Sequence, residues 1–330
     1  MPDTPVSGTA ESMTKHILVV GAGAWGCALA LHLHRTGAQV HVWARSPEKR
    51  LASGAMPHMP DAPLPFSIPV SRAIPSRVDT TLVVIPVQQL ASVLPLLPTA
   101  PTILCSKGVE RSTQSFPLEI LHRIRPDLAG AVLSGPNFAH EIAAGLPAAA
   151  VLAAPELSEA HRLAEQLSSS VFRLYASQDC VGVQLGGAAK NVIAIAAGIT
   201  IGAKLGENAR AALVTRGLAE TARLATALGG SPATLSGLAG MGDLLLTCTG
   251  ASSRNYQMGL ALGRGVQTED ALAALPGVAE GATTASALLG LAHRHGVSVP
   301  IIETVSGFLA NTLTLSQAQE ALLNRPLKAE

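Results

Sequence analysis

Over the first 180 residues, short apolar runs alternate with longer Ala- and Leu-rich stretches; after that the short runs stop. ILVV at 17–20 is too short for a helix and reads as a buried strand. An Ala- and Leu-rich helix follows over 27–36, Gly37 closes it, and QVHVW at 39–43 resumes as a strand. The same reading gives strands at 80–86 (TTLVVIP), 102–105 (TILC) and 131–133 (AVL), with late strands of the same sheet at 148–153 and 171–175. Between 54 and 76 lie six prolines, which exclude a long helix and leave irregular chain leading to a short strand. From Asp179 onward the spacing is helical throughout: 181–201, 208–228, 232–246, 255–264, 268–274, 282–296 and 301–323. The expected fold is an α/β Rossmann-type doubly wound sheet domain over 15–180, followed by an all-α C-terminal domain over 181–330.

Composition narrows this picture. The chain is 48% hydrophobic but only 3% aromatic, so its cores must be built from Ala, Leu, Val and Ile. A net charge of +1 with no basic face excludes nucleic acid as an expected partner. Cys27, Cys105, Cys180 and Cys248 show no CxxC spacing, so no metal site or disulfide framework is expected, and a reducing compartment fits. Residues 1–14 are polar and rich in Pro, Ser and Thr, without the basic and apolar regions of a secretory signal; a disordered tail is expected. No uninterrupted apolar run reaches membrane-spanning length, because the longest candidate, 181–203, is broken by Lys190 and glycines. The expectation is a cytoplasmic protein with no transmembrane segment.

The turn after the first strand is GAGAWG at 21–26. A strand–GxGxxG–helix–strand context makes this pattern a dinucleotide site. Gly21 permits the tight turn, Gly23 lets the backbone approach the pyrophosphate, and Gly26 allows close helix–strand packing. The helix N-terminus then offers free N–H groups to phosphate. An NAD-specific fold carries a carboxylate at the end of the second strand; here Trp43 and Ala44 lead to Arg45 and Ser46, with Lys49 and Arg50 beyond. With no carboxylate to repel a 2′-phosphate, NADP(H) is favoured over NAD(H).

Five further sets of residues carry possible chemistry. Lys190 is the one cation in a small-residue apolar helix, sharing its face with Ala194 and Ala197. Desolvation there lowers an amine's pKa towards the range of proton transfer, although a lysine snorkelling from a packed helix fits the same pattern. Lys107 follows a strand's carboxyl end, where open α/β sheets bind ligands. The SGPN turn at 134–137 leads into a helix that Asn137 is placed to cap. In the helical half, Asp243 and Thr247 share a helix face, and Ser253, Arg254 and Asn255 stand at a helix start, an arrangement suited to phosphate.

These motifs together give the chain its resemblance. GAGAWG, SKGVE at 106–110, SGPNFAHE, VGVQLGGAAKNVIAIAAG, TRGLAE, GMGDLLLTC, SRN and VAEG resemble, in order and spacing, the bacterial-type NAD(P)-dependent sn-glycerol-3-phosphate dehydrogenases over about residues 15–323. The resemblance implies reduction of dihydroxyacetone phosphate to sn-glycerol 3-phosphate for phospholipid synthesis. It implies Lys190 as the catalytic lysine with Asp243 as its polar partner. Lys107, Gly135 and Asn137 fall at substrate positions, and Ser253, Arg254 and Asn255 at the substrate phosphate. Ala24, Trp25, Arg45, Lys107, Ala139, Arg254, Val278 and Glu280 fall at cofactor positions beside Gly21, Gly23 and Gly26. The chain departs from the family at Asn137, where Ser or Thr is common; at His58, in place of an aromatic; and at Ala189, in place of a bulkier aliphatic. Two other readings stand beside it: a reductase of β-hydroxy or keto-pantoate-like acids, which needs no 253–255 phosphate group, and a nicotinamide sensor without turnover. The large helical domain suggests a homodimer.

Overall fold

Each short apolar run expected as a strand takes its place in one sheet. The computed structural model describes residues 14–275, 277 and 279–323; the expected tail up to residue 13 lies outside them. The first half runs β1 (His16–Val20), α1 (Ala24–Arg35), β2 (Gln39–Trp43), β3 (Val70–Ser71), β4 (Thr80–Val83), α2 (Leu90–Val93), β5 (Thr102–Leu104), α3 (Pro117–Ile124), β6 (Gly130–Ser134), α4 (Ala139–Ala144), β7 (Ala148–Ala153), α5 (Leu157–Leu167) and β8 (Phe172–Ser177). The eight strands lie in the order β3-β2-β1-β4-β5-β6-β7-β8. All neighbouring pairs are parallel except β6–β7. Chain order reverses beside β1, and the crevice at the carboxyl ends of β1 and β4 is the place where such sheets take ligands.

The first turn meets the demands read from its glycines. Gly21 adopts φ = +120°, and a Cβ there would lie 2.4 Å from the Val84 carbonyl oxygen. A Cβ on Gly26 would stand 1.8 Å from the Gly21 oxygen, so α1 reaches β1 only because that position is bare. Gly23 has no heavy atom within 4 Å of a Cβ position, leaving its backbone open. α1 starts at Ala24, earlier than the apolar pattern indicated, because Gly26 is helical in its first turn despite its low propensity.

The second half holds α6 (Cys180–Gly202), α7 (Glu207–Ala227), α8 (Pro232–Leu235), α9 (Asp243–Thr249), α10 (Arg254–Gly263), α11 (Thr268–Ala273), α12 (Glu280–Arg294), α13 (Pro300–Leu309) and α14 (Leu315–Leu323). α6 is the axis. By length and composition it could cross a membrane, but 94% of its most apolar window is buried inside the protein, as in a core helix. Its Gly198 and Gly202 face Gly259 and Gly263 of α10, and the two backbones touch: a Cβ on Gly259 would lie 2.1 Å from the Ile195 oxygen. This contact seats the start of α10 over the middle of α6.

Two expected helices are divided. The 232–246 segment becomes α8, a π-helical turn (Leu238–Gly242) and α9. Gly237, Gly240 and Gly242 break the α repeat there. The 301–323 segment splits into α13 and α14, because Asn311 takes φ = +57° and ends the first helix.

Candidate active site

The crevice gathers side chains that are far apart in the chain. Lys190, on α6, is 9% exposed, and Asp243, the first residue of α9, is fully buried. They meet because α6 presents Gly186 to the π-helical turn, where a Cβ would lie 2.4 Å from the Ala239 oxygen. Lys190 Nζ donates to Asp243 Oδ1 at 2.5 Å, and Lys107 Nζ donates to Asp243 Oδ2 at 2.7 Å and to the Gly135 oxygen at 3.0 Å. Gly187 makes room for the Lys107 side chain against α6, since a Cβ there would sit 3.4 Å from Lys107 Cγ and 2.8 Å from Ser134 Oγ. One carboxylate thus holds two ammonium groups, and the cluster keeps a net positive charge suited to an anion. Burial pulls the Lys190 pKa down to about 8 from 10.5; Asp243 opposes that shift and Lys107 adds to it. The lysine is therefore not a solvated snorkel.

Asn137 does not cap α4. The capping position is Phe138, with no side-chain cap, because the Gly135–Pro136 turn delays the helix to Ala139. Asn137 Oδ1 is instead buried without a hydrogen-bond partner, as are Ser134 Oγ and Thr284 Oγ1. Each such group costs about 1–3 kcal/mol, which a polar ligand can offset.

Around the lysines, Asn191, the next residue on α6, donates to the carbonyl oxygens of Lys107 and Gly187, each at 3.4 Å. Asn255 Nδ2 donates to Asn191 Oδ1 at 2.9 Å, while Asn255 Oδ1 accepts from Gly281 N at 3.0 Å. Asn255 therefore ties α10 to α6 and to the start of α12. The sequence pointed to Asn255 as a phosphate ligand and passed over Asn191, although an amide beside Lys190 in an apolar helix was a visible signal. Ser253 caps α10, accepting from Tyr256 N at 3.2 Å, and leaves Arg254 exposed at the helix start. Glu280 opens α12 and is half-buried. Burial pushes its carboxyl up to about 7, opposed by Arg254, Lys107, the Val87 amide and Lys190. Val278 lies outside the described residues.

On the sheet side, Trp25 and Ala139 are half-buried at the starts of α1 and α4, and Trp25 makes an edge contact with Phe172 at 6.4 Å. Arg45 is exposed beyond β2 and donates to Gln89 Oε1 at 3.3 Å. It borders a cavity of about 590 Å³ shared with Trp43, Ser46, Arg72, Ile74 and Leu96. Arg50 points elsewhere: it donates to the carbonyl oxygens of Gly54, Leu64, Pro65 and Ile68 at 2.7–3.2 Å and clasps the proline-rich lobe. His58 is exposed on that lobe.

Comparison with known proteins points to one family. Two family models match, described as the NAD-dependent glycerol-3-phosphate dehydrogenase N-terminus over residues 16–160 and C-terminus over residues 179–320. The chain is 52% identical over 316 residues to a glycerol-3-phosphate dehydrogenase (NAD(P)+) of Gluconobacter oxydans (strain 621H), covering 94% of this chain and 97% of the relative. It is 47% identical over 326 residues to one from Bradyrhizobium sp. (strain ORS 278), covering 95% and 98%. Among solved structures it is similar to the crystal structure of glycerol-3-phosphate dehydrogenase from Coxiella burnetii, at 37% identity and a TM-score of 0.89 over 94% of this chain and 99% of that one.

Proposed function

The chain belongs to the NAD-dependent glycerol-3-phosphate dehydrogenase family, and we propose that Lys190, Asp243 and Lys107 carry its reaction, the reduction of dihydroxyacetone phosphate to sn-glycerol 3-phosphate. This product feeds phospholipid synthesis. The observation that carries the residue assignment is the shared carboxylate: two ammonium groups at 2.5 and 2.7 Å from Asp243 in a buried crevice.

The residues present fit a nicotinamide dinucleotide. Gly23 leaves open backbone at the α1 N-terminus, and the β2 end carries cations in place of the carboxylate of an NAD-specific site. When bound, the reduced nicotinamide supplies the hydride. The protein's share is electrostatic and protonic. Negative charge grows on the substrate carbonyl oxygen, and protonated Lys190 stabilises it and then donates its proton; in the reverse direction the neutral amine is the base. A pKa of about 8 suits a group that must exchange a proton near neutral pH. Asp243 aims the ammonium and keeps it charged. Lys107 adds positive charge and fixes the Gly135 carbonyl. Arg254, at the mouth of the helical side, binds the substrate phosphate, so that a non-reacting group positions the reacting carbon. Asn137 Oδ1 accepts from a substrate hydroxyl.

Arg45 supports preference for NADPH over NADH. Exposed Met241, Leu245 and Leu272 on the helical half support assembly as a homodimer. The residue assignment is tested with Lys190→Ala: oxidation of NADPH by dihydroxyacetone phosphate is expected to fall by about 10²–10⁴, while NADPH affinity stays near wild type. Wild-type turnover in that variant refutes the role.

A further inference from the structure

The 590 Å³ cavity at the carboxyl ends of β2 and β3 holds a cation that no motif marks. Arg72 follows the last residue of β3, and its backbone is pinned by Trp43 Nε1, which donates to its carbonyl oxygen at 3.0 Å. Arg72 lines the same cavity as Arg45 and Ser46, with Ile74 and Leu96 as apolar walls. Among the described residues, Arg45 is held only by a neutral amide, Gln89. Arg72 meets one carboxylate, Glu48, at 3.4 Å, with the two side chains 67% and 60% exposed. An ion pair so open to water is weakly held and readily exchanged.

Two guanidinium groups, a hydroxyl and apolar walls make a recognition set for an adenosine carrying a phosphate on its ribose. Arg presents paired donors that match phosphate oxygens. We propose that Arg72 is a second specificity-determining residue: it leaves Glu48 to share the 2′-phosphate of NADPH with Arg45, and Glu48 is the anionic placeholder that satisfies Arg72 when the phosphate is absent. This inference rests on the reading that the adenosine end of the cofactor lies beyond β2. It gives that site a physical route to accept both cofactors. The carboxylate compensates Arg72 in the NADH complex and is displaced in the NADPH complex.

The test is calorimetric titration of the protein with 2′,5′-ADP (adenosine 2′,5′-bisphosphate) and with 5′-AMP, which differ by that phosphate alone. Arg72→Gln is expected to weaken 2′,5′-ADP by about tenfold, the loss of a charge-assisted contact, with 5′-AMP within twofold of wild type. Glu48→Gln is expected to tighten 2′,5′-ADP and leave 5′-AMP unchanged. An Arg72→Gln protein that binds both ligands as wild type does, or loses both equally, overturns the proposal. Arg45→Gln separates this failure from that of the parent reading. If Arg45→Gln lowers the 2′,5′-ADP to 5′-AMP affinity ratio and Arg72→Gln does not, only the Arg72 role falls. If neither variant changes the ratio, the phosphate is not read at this site and both fall.

Discussion

Asp243→Asn isolates the electrostatics of the crevice because it keeps shape and removes one charge. Asp243 is fully buried, and its two oxygens each hold one ammonium. The amide retains one acceptor and turns an N–H donor towards the other lysine. Lys107 can fall back on the Gly135 oxygen and its side chain is 15% exposed. Lys190, with its side chain 10% exposed, bonds Asp243 alone among the described residues. Breaking a buried pair in this way costs about 3–5 kcal/mol. The cost depends on pH. Lys190 sits at about 8 in the folded protein against 10.5 ordinarily, so between those values the unfolded chain binds more protons and stability rises with pH. Asp243 is what holds that pKa up, so in the variant it falls further and the rise begins at lower pH. The deficit should therefore be largest at pH 6 and shrink by pH 9, by about 1.4 kcal/mol for each pH unit the pKa drops. Urea denaturation of both proteins at pH 6, 7.5 and 9 measures this. Turnover should fall by about 10² or more, with the alkaline limb of the pH–rate profile moved to lower pH. A deficit below about 1 kcal/mol, or one equal at pH 6 and pH 9, refutes the reasoning.

Arg254→Ala should raise the KM for dihydroxyacetone phosphate by about tenfold or more, the worth of a charged hydrogen bond, with a much smaller effect on the KM for NADPH; steady-state kinetics with each substrate varied decides it, and an unchanged substrate KM removes the phosphate role. Glu280→Gln should stabilise the ligand-free protein at pH 8. The folded carboxyl titrates near 7 against 4.5 ordinarily, so the folded state binds more protons across that window and stability falls as pH rises through it. The gain at pH 8 should be about 1–2 kcal/mol, allowing for screening of a half-buried side chain, and should fade towards pH 4.5; denaturation at pH 5 and pH 8 shows whether it does.

The inner strands β1, β4, β5 and β6 were legible because they are buried on both faces and read as short apolar runs, and the first turn because Gly21 and Gly26 have no room for a side chain. Lys190 was legible because a cation in an apolar helix needs an account. The Lys107–Asp243 contact was not, since the two residues are 136 positions apart and nothing local ties a strand end to a helix start. The division of 232–246 was written in three glycines, but only the fold shows that the π-helical turn is what aims Asp243 at α6. Asn311 hides its break because a left-handed asparagine leaves no mark in the hydrophobic spacing. Arg72 was hidden by distance, since it enters the β2 cavity only after the irregular proline-rich stretch.

The clasp at Arg50 bears on how this sequence can drift. Its guanidinium grips four main-chain oxygens and lies 4.8 Å over the Phe66 ring, so the lobe it holds is specified by backbone rather than by side-chain identity. Outward-facing positions such as Pro57, His58 and Asp61 are then free to vary between relatives, and insertions at the exposed tip are tolerable. The constraint concentrates on a single codon: lysine there has one donor head for four acceptors and cannot replace it. Arginine-selective reagents such as phenylglyoxal should discriminate likewise, reacting at exposed Arg45 and Arg72 before Arg50.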